Sequence, residues 1–277
     1  MEQNNEYVKT GYTELDEALC GGFKRGDLIL LASRPGMGKT TLALNITNNC
    51  SNKDNYVSAI FSMEMFKEQL SRRILCIASG VKIKDTLKWN NANWEKLEKQ
   101  TYNSKKTKII INDNSTITID KIVEECHEIK IQYGLDLVVI DYVDLIAPYI
   151  SKGVLKSKKI MLEYITNKLK GVARELNIAV VILTQLSRKV AYRKNPRPVI
   201  DDIMDEQEAL KELSDIILFI YNPKRIDVPL AFGVEQEDYT ESVIELSIAK
   251  TTHGESKVIN LKFLKDYLKF ENYQKQI

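Results

Sequence analysis

Asp27-Leu28-Ile29-Leu30-Leu31-Ala32-Ser33-Arg34-Pro35-Gly36-Met37-Gly38-Lys39-Thr40-Thr41 is the stretch that decides how this chain is read. An apolar run ends in a turn carrying two glycines, and a segment of helical apolar spacing, Leu42 to Ile46, follows. Strand, glycine-bearing turn and helix in that order are the setting of a phosphate-binding loop. Gly36 and Gly38 let the backbone turn its N–H groups inward around an anion. A helix that starts near Lys39 aims its positive end at the same anion. Lys39 has the reach for β- and γ-phosphates, and the Thr40 hydroxyl suits Mg²⁺. Arg34, Pro35, Gly36, Met37, Gly38, Lys39, Thr40 and Thr41 are therefore expected to cradle a nucleoside triphosphate with Mg²⁺. Ser33 stands where the usual pattern has glycine.

Working outward, 277 residues suit one large α/β domain or two small ones. A hydrophobic content of 44% and a charged content of 28% can build a core without disulfide staples. The net charge of +2 supplies no global field for nucleic acid, so any such surface must be local. Cys20, Cys50, Cys76 and Cys126 are scattered without a C-x-x-C pair, which reads as buried thiols of a reducing compartment. No apolar run approaches membrane-spanning length and the N-terminus lacks a secretory pattern, so a cytoplasmic protein without a membrane partner is expected.

Short apolar runs at 27–32, 57–63, 108–112, 135–141, 178–184 and 215–221 alternate with helical patterns at 40–50, 67–79, 93–102, 119–133 and 158–176. That alternation predicts a mostly parallel sheet flanked by helices. Segments 242–250, 257–264 and 267–271 instead alternate apolar and polar residues, with a turn at 253–256, and predict an antiparallel extension. No linker divides the chain.

Three strand ends carry candidate chemistry. Leu137-Val138-Val139-Ile140-Asp141 has the form of a Walker B strand, whose aspartate holds Mg²⁺ beside the phosphate loop. Phe61-Ser62-Met63-Glu64-Met65 offers a carboxylate at the same edge, either a base for the attacking water or a first-turn partner of a helix dipole. Ile182-Leu183-Thr184-Gln185 ends in an amide that can sense a γ-phosphate. Just beyond it, Arg188, Lys189, Arg193, Lys194 and Arg197 form a basic loop suited to nucleic-acid phosphates or simply to solvent.

Together these residues resemble the C-terminal, RecA-type ATPase domain of DnaB-type replicative helicases. The resemblance runs from Thr10-Gly11-Tyr12 to Phe270-Glu271-Asn272, through Arg34 to Thr40, Phe61 to Met65, Val139 to Tyr142, Gln185 to Arg188 and Ile248-Ala249-Lys250. It implies a RecA-like ATPase domain over 10–277 after a tail of residues 1–9. It further implies a homo-oligomer, usually a hexameric ring, or association with a related replicative helicase, with ATP at subunit interfaces and single-stranded DNA in the channel. Carried over by position, Lys39 and Thr40 bind phosphate and metal, and Glu64 is the catalytic carboxylate. Asp141 supports Mg²⁺, Gln185 is the sensor, and Lys250 reaches the neighbour's γ-phosphate. The pattern departs at Met204-Asp205-Glu206-Gln207, where the family has Arg-Glu-Ser-Gly, and at Thr252, where it has an arginine finger. The resemblance implies a motor that binds and hydrolyses ATP and couples hydrolysis to single-stranded DNA translocation and duplex unwinding. A loader, regulator or inhibitor of another ring is the alternative.

Overall fold

A computed structural model of the chain describes residues 6–53, 56–101, 108–146, 157–223 and 241–273. Strand β1 (Tyr7–Val8) precedes helix α1 (Thr13–Ala18) and pairs antiparallel with β2 (Phe23–Lys24) as a small flap. There follow β3 (Leu28–Ser33), α2 (Lys39–Lys53), β4 (Val57–Ser62), α3 (Lys67–Ser79) and α4 (Asn91–Thr101). Then come β5 (Lys108–Asn112), α5 (Ile119–Tyr133), β6 (Leu137–Asp141), α6 (Lys158–Glu175) and β7 (Ala179–Gln185). The chain closes with α7 (Glu208–Leu213), β8 (Ile216–Tyr221), β9 (Glu241–Thr251), β10 (Val258–Leu264) and β11 (Lys269–Asn272).

Among the described residues these strands make one nine-stranded sheet in the order β11-β10-β9-β8-β3-β7-β6-β4-β5. The six apolar runs are its parallel part, because both faces are covered and neither can expose polar residues. Ile29, Leu31, Val139, Val181 and Leu218 point to one face, under α2. Leu28, Leu30, Val138, Ile140, Val180 and Phe219 point to the other, under α5 and α6. The alternating C-terminal segments form the antiparallel extension β9 to β11.

Helix boundaries follow capping chemistry. Thr118 and Ser157 accept from the backbone N–H three residues on, at the starts of α5 and α6. Gly80, at φ +68, ends α3. Three differences from the sequence reading have a physical cause. The runs read from 27, 135 and 215 begin in the structure at Leu28, Leu137 and Ile216. The side chains of the aspartates before the last two, Asp136 and Asp215, serve neighbouring strands instead of extending their own. Asp215 accepts from Leu28 N at 2.7 Å and Asp136 from Val57 N at 2.8 Å. The last strand starts at Lys269, not 267, because residues 265–267 form a 3-10 turn and Leu268 takes φ +52. Tyr102, the end of the fourth predicted helix, lies outside the described residues, as do tail residues 1–5. Among the described residues no helix is long and apolar enough to cross a membrane.

Candidate active site

The carboxyl ends of β3, β7, β6 and β4 lie side by side, where open α/β sheets take their ligands. Beyond β3 the chain turns at Gly36 and Gly38, at φ +75 and +95, backbone that only glycine takes without strain, and α2 starts at Lys39. A Cβ at Gly38 would sit 3.4 Å from Phe270 Cζ, so β11 buttresses the loop from beneath. Ser33 fits in place of glycine because it is the last residue of β3, with its hydroxyl donating to the Arg34 carbonyl at 2.9 Å. Arg34, Met37 and Thr41 are buried, whereas Gly36 is exposed at the tip. Met37 packs into the core and so lends the loop only its backbone.

Lys39 is buried, donates to the Thr184 carbonyl at 2.8 Å and lies 5.5 Å from the Tyr142 ring centroid. Burial lowers its pKa to about 8, against the opposing pull of Asp141 and Glu64. Thr40 Oγ1 donates to Asp141 Oδ2 at 2.9 Å, joining the loop to the end of β6. Burial raises the Asp141 pKa, and the Thr40 hydrogen bond and the charge of Lys39 work against it. Asp141 Oδ1 is buried and accepts no hydrogen bond among the described residues. A hydroxyl and a carboxylate oxygen with a free lone pair fit Mg²⁺, which takes few protein ligands and completes its shell with phosphate and water. The Met63 N–H donates to the Asp141 carbonyl at 2.9 Å, which fixes the end of β4 against β6. Glu64 is exposed at that end, within Coulombic range of Lys39 and Asp141.

Gln185 is the half-buried last residue of β7, at the same edge. The fold thus brings together Lys39, Thr40, Glu64, Asp141 and Gln185. Lys250 lies elsewhere, on β9, with its ammonium on the carbonyls of Lys211 and Glu212 at the end of α7, 3.0 and 2.9 Å away. In the basic loop Arg193 pairs with Asp202 at 2.7 Å, and Arg197 forks onto Glu245 with two bonds of 2.7 Å. Lys189 and Lys194 are exposed, and the Arg188 side chain lies outside the described residues.

Sequence reasoning missed Arg73, on α3, which lies within Coulombic range of Asp141 and Glu64 and whose pKa burial lowers. It also missed a polar network behind Lys39. Thr184 Oγ1 donates to Asp144 Oδ2 at 2.8 Å, and the fully buried Gln207 donates to Asp144 Oδ1 at 2.9 Å and Thr184 Oγ1 at 2.7 Å. A buried glutamine inside an acidic run gives no periodic signal that could have found it.

The chain matches the family model described as the DnaB-like helicase C terminal domain over residues 7–272. It is 35% identical over 271 residues to the replicative DNA helicase DnaB of Geobacillus stearothermophilus, covering 97% of this chain and 57% of the relative. Replicative DNA helicase DnaC of Bacillus subtilis (strain 168) is likewise 35% identical over 272 residues, with the same coverage. The chain therefore spans a little over half the length of these relatives. Among solved structures, one described as an ATPase domain superposes with TM-score 0.83 at 30% identity, covering 99% of this chain and 93% of that one. A DnaB-like replicative helicase, solved in a study of its interactions with primase, gives 0.82 at 31% identity, covering 99% and 63%. A KaiC-like protein of Pyrococcus horikoshii OT3, at TM-score 0.62 and 16% identity, shares the fold alone. On its family match and its fold, this chain belongs to the DnaB-like helicase C-terminal domain family.

Proposed function

We propose that this chain is an ATP-binding and hydrolysing motor domain of the replicative helicase kind, coupling hydrolysis to movement along single-stranded DNA and duplex unwinding. The observation that carries the reading is the Thr40–Asp141 contact, with Asp141 Oδ1 left open beside a buried Lys39. In this reading residues 34–41 and Lys39 hold the phosphates of ATP, and Thr40 and Asp141 hold Mg²⁺. Bound between Thr40 and Asp141, Mg²⁺ would supply charge neutralisation at the phosphates. Glu64, exposed beside them, takes the proton of the attacking water. Gln185 senses the γ-phosphate from the end of β7. Lys250 serves the site of a neighbouring copy, for which it must leave the α7 carbonyls. Residues 10–277 act as one ATPase unit after the tail 1–9. The unit works in the cytoplasm as a homo-oligomer, a hexameric ring in the family's usual form, or with a related replicative helicase.

A second reading, an ATP-binding loader, regulator or inhibitor that does not unwind DNA, is favoured by the 204–208 segment. Glu206 and Glu208 there are engaged by Lys158 and Lys159, and Gln207 is turned inward. Such a surface offers phosphates little. Strand displacement measured alongside ATPase activity with and without single-stranded DNA separates the two. Unwinding with strong DNA stimulation supports the motor, and slow, DNA-insensitive hydrolysis supports the regulator. An arginine finger in trans gives about 10³–10⁵ in rate in GTPases, and Lys250 lacks its bidentate fork. Thr252→Arg should therefore raise ATPase activity in a manner that depends on protein concentration.

A further inference from the structure

Behind the phosphate loop an unbroken chain of polar contacts leads away from Lys39. Its ammonium donates to the Thr184 carbonyl at 2.8 Å. The Thr184 hydroxyl donates to Asp144 and accepts from Gln207, whose second amide proton also goes to Asp144. Asp144 meets Lys158 at 3.4 Å, and Lys158 bonds Glu206 at 2.6 Å, next to Gln207. The end of β7, the turn after β6, the start of α6 and the segment ahead of α7 all meet in this network.

We propose that Gln207 is a positioning residue that couples occupancy of the phosphate loop to the placement of the 204–213 segment. The inference rests on the nucleotide reading of the loop. A phosphate group beside Lys39 competes with the neutral Thr184 carbonyl for the ammonium, and the charge-assisted bond is the stronger. Release of that carbonyl removes one tether from the end of β7, which also carries Gln185 and stays paired with β3. Gln207 grips the same threonine through its hydroxyl, so a shift of Thr184 is passed to the segment that Gln207 belongs to. Packed interiors favour two discrete arrangements over continuous deformation.

The amide is poorly suited to filling space alone. Gln207 Oε1 is buried and accepts no hydrogen bond among the described residues. An incompletely satisfied polar group costs free energy that an apolar side chain of similar size would avoid. Its two donated bonds, both made to the network, are what the amide contributes. Coupling of this kind is reciprocal, so whatever grips the 204–213 segment must alter nucleotide affinity as well.

Hydrogen exchange by mass spectrometry on the whole chain, with and without Mg²⁺ and a non-hydrolysable ATP analogue, tests the coupling. In the unmodified protein the nucleotide should slow exchange at 33–41 and change it at 204–213. In Gln207→Leu the protection at 33–41 should remain and the change at 204–213 should be lost. Thr184→Val breaks the same relay from the other end and should give the same loss. A purely structural role would change exchange at 204–213 equally with and without nucleotide. The coupling is overturned if 33–41 is protected in the unmodified protein while 204–213 does not respond. It is overturned equally if the response survives in both variants. Absence of protection at 33–41 overturns the nucleotide reading and the relay with it.

Discussion

At their amino ends two of the parallel strands follow aspartates paired with a cation, and at their carboxyl ends Lys39 rests on a neutral carbonyl while Asp141 keeps a buried oxygen without a hydrogen bond. Asp215 accepts from Leu28 N and pairs with Lys170, which also reaches the Gly26 carbonyl at 3.3 Å. Asp136 accepts from Val57 N and pairs with Arg25 at 2.7 Å. Asp27 faces His253 at 2.9 Å without a hydrogen bond between them, and burial and the charge of Asp215 raise its pKa to about 6. Each of these carboxylates stands one residue ahead of its own strand, and the first two cap the start of another. At the opposite edge Lys39 rests on a neutral carbonyl and Asp141 keeps an open oxygen. Both edges bury charge, and each leaves a buried carboxylate oxygen without a hydrogen bond among the described residues, Asp27 Oδ2 at the first and Asp141 Oδ1 at the second. The amino edge holds strands in register. The proposed Mg·ATP site lies at the carboxyl edge.

The comparison can be broken at either edge. The largest effect is expected from Glu64→Gln, which keeps size and hydrogen bonding but removes the base. ATP should still bind while single-turnover hydrolysis falls about 10²–10⁴-fold. Lost affinity with turnover of bound ATP preserved would contradict the role given to Glu64. Asp215→Ala strands Lys170 at the amino edge. Denaturant unfolding should show a loss of about 3–5 kcal/mol, the cost of leaving a buried charge unpaired. Nucleotide affinity under native conditions should hardly change. A variant that unfolds normally but binds nucleotide poorly would mean the two edges are not distinct.

A smaller effect concerns pH. Burial holds the Lys39 pKa at about 8, below the ordinary lysine value, so between about pH 8 and 10 the unfolded chain carries a proton that the folded one has lost. Stability should therefore rise with pH in that window relative to Lys39→Met, in which the contribution is missing. Nucleotide affinity should move the other way, because a triphosphate favours the charged form. It should fall by up to about tenfold per pH unit above 8. Chemical denaturation and fluorescent-nucleotide titrations from pH 7 to 10 give the two slopes. Slopes of the same sign would show that Lys39 does not meet the phosphates.

Much of the carboxyl edge is legible in sequence, for a local reason. Lys39 and Thr40 follow two glycines in one short motif, and Asp141 and Gln185 end apolar runs that can only be buried strands. The amino edge is not legible, because its aspartates look like the first residues of those runs and their partners lie 45 to 226 positions away in sequence. Arg73 was hidden by its neighbour. Arg72 and Arg73 differ by about 100° around α3, and nothing in their spacing says that Arg72 covers Trp94 while Arg73 turns to the site. Gln207 was hidden by composition, since an acidic run reads as solvated surface. The basic loop shows the converse, as two of its arginines serve carboxylates of their own chain.

The most direct test of the carboxyl edge as a Mg·ATP site is a titration of a fluorescent ATP analogue. It should be run with and without Mg²⁺, into the unmodified protein and into Lys39→Ala. The account predicts saturable, Mg²⁺-enhanced binding that Lys39→Ala weakens by about 10–10²-fold, the usual loss on removing one hydrogen bond to a charged group. The variant's thermal unfolding should be no lower than that of the parent, because the lost side chain was a buried charge. Binding that is equally tight in Lys39→Ala, or indifferent to Mg²⁺, would contradict it.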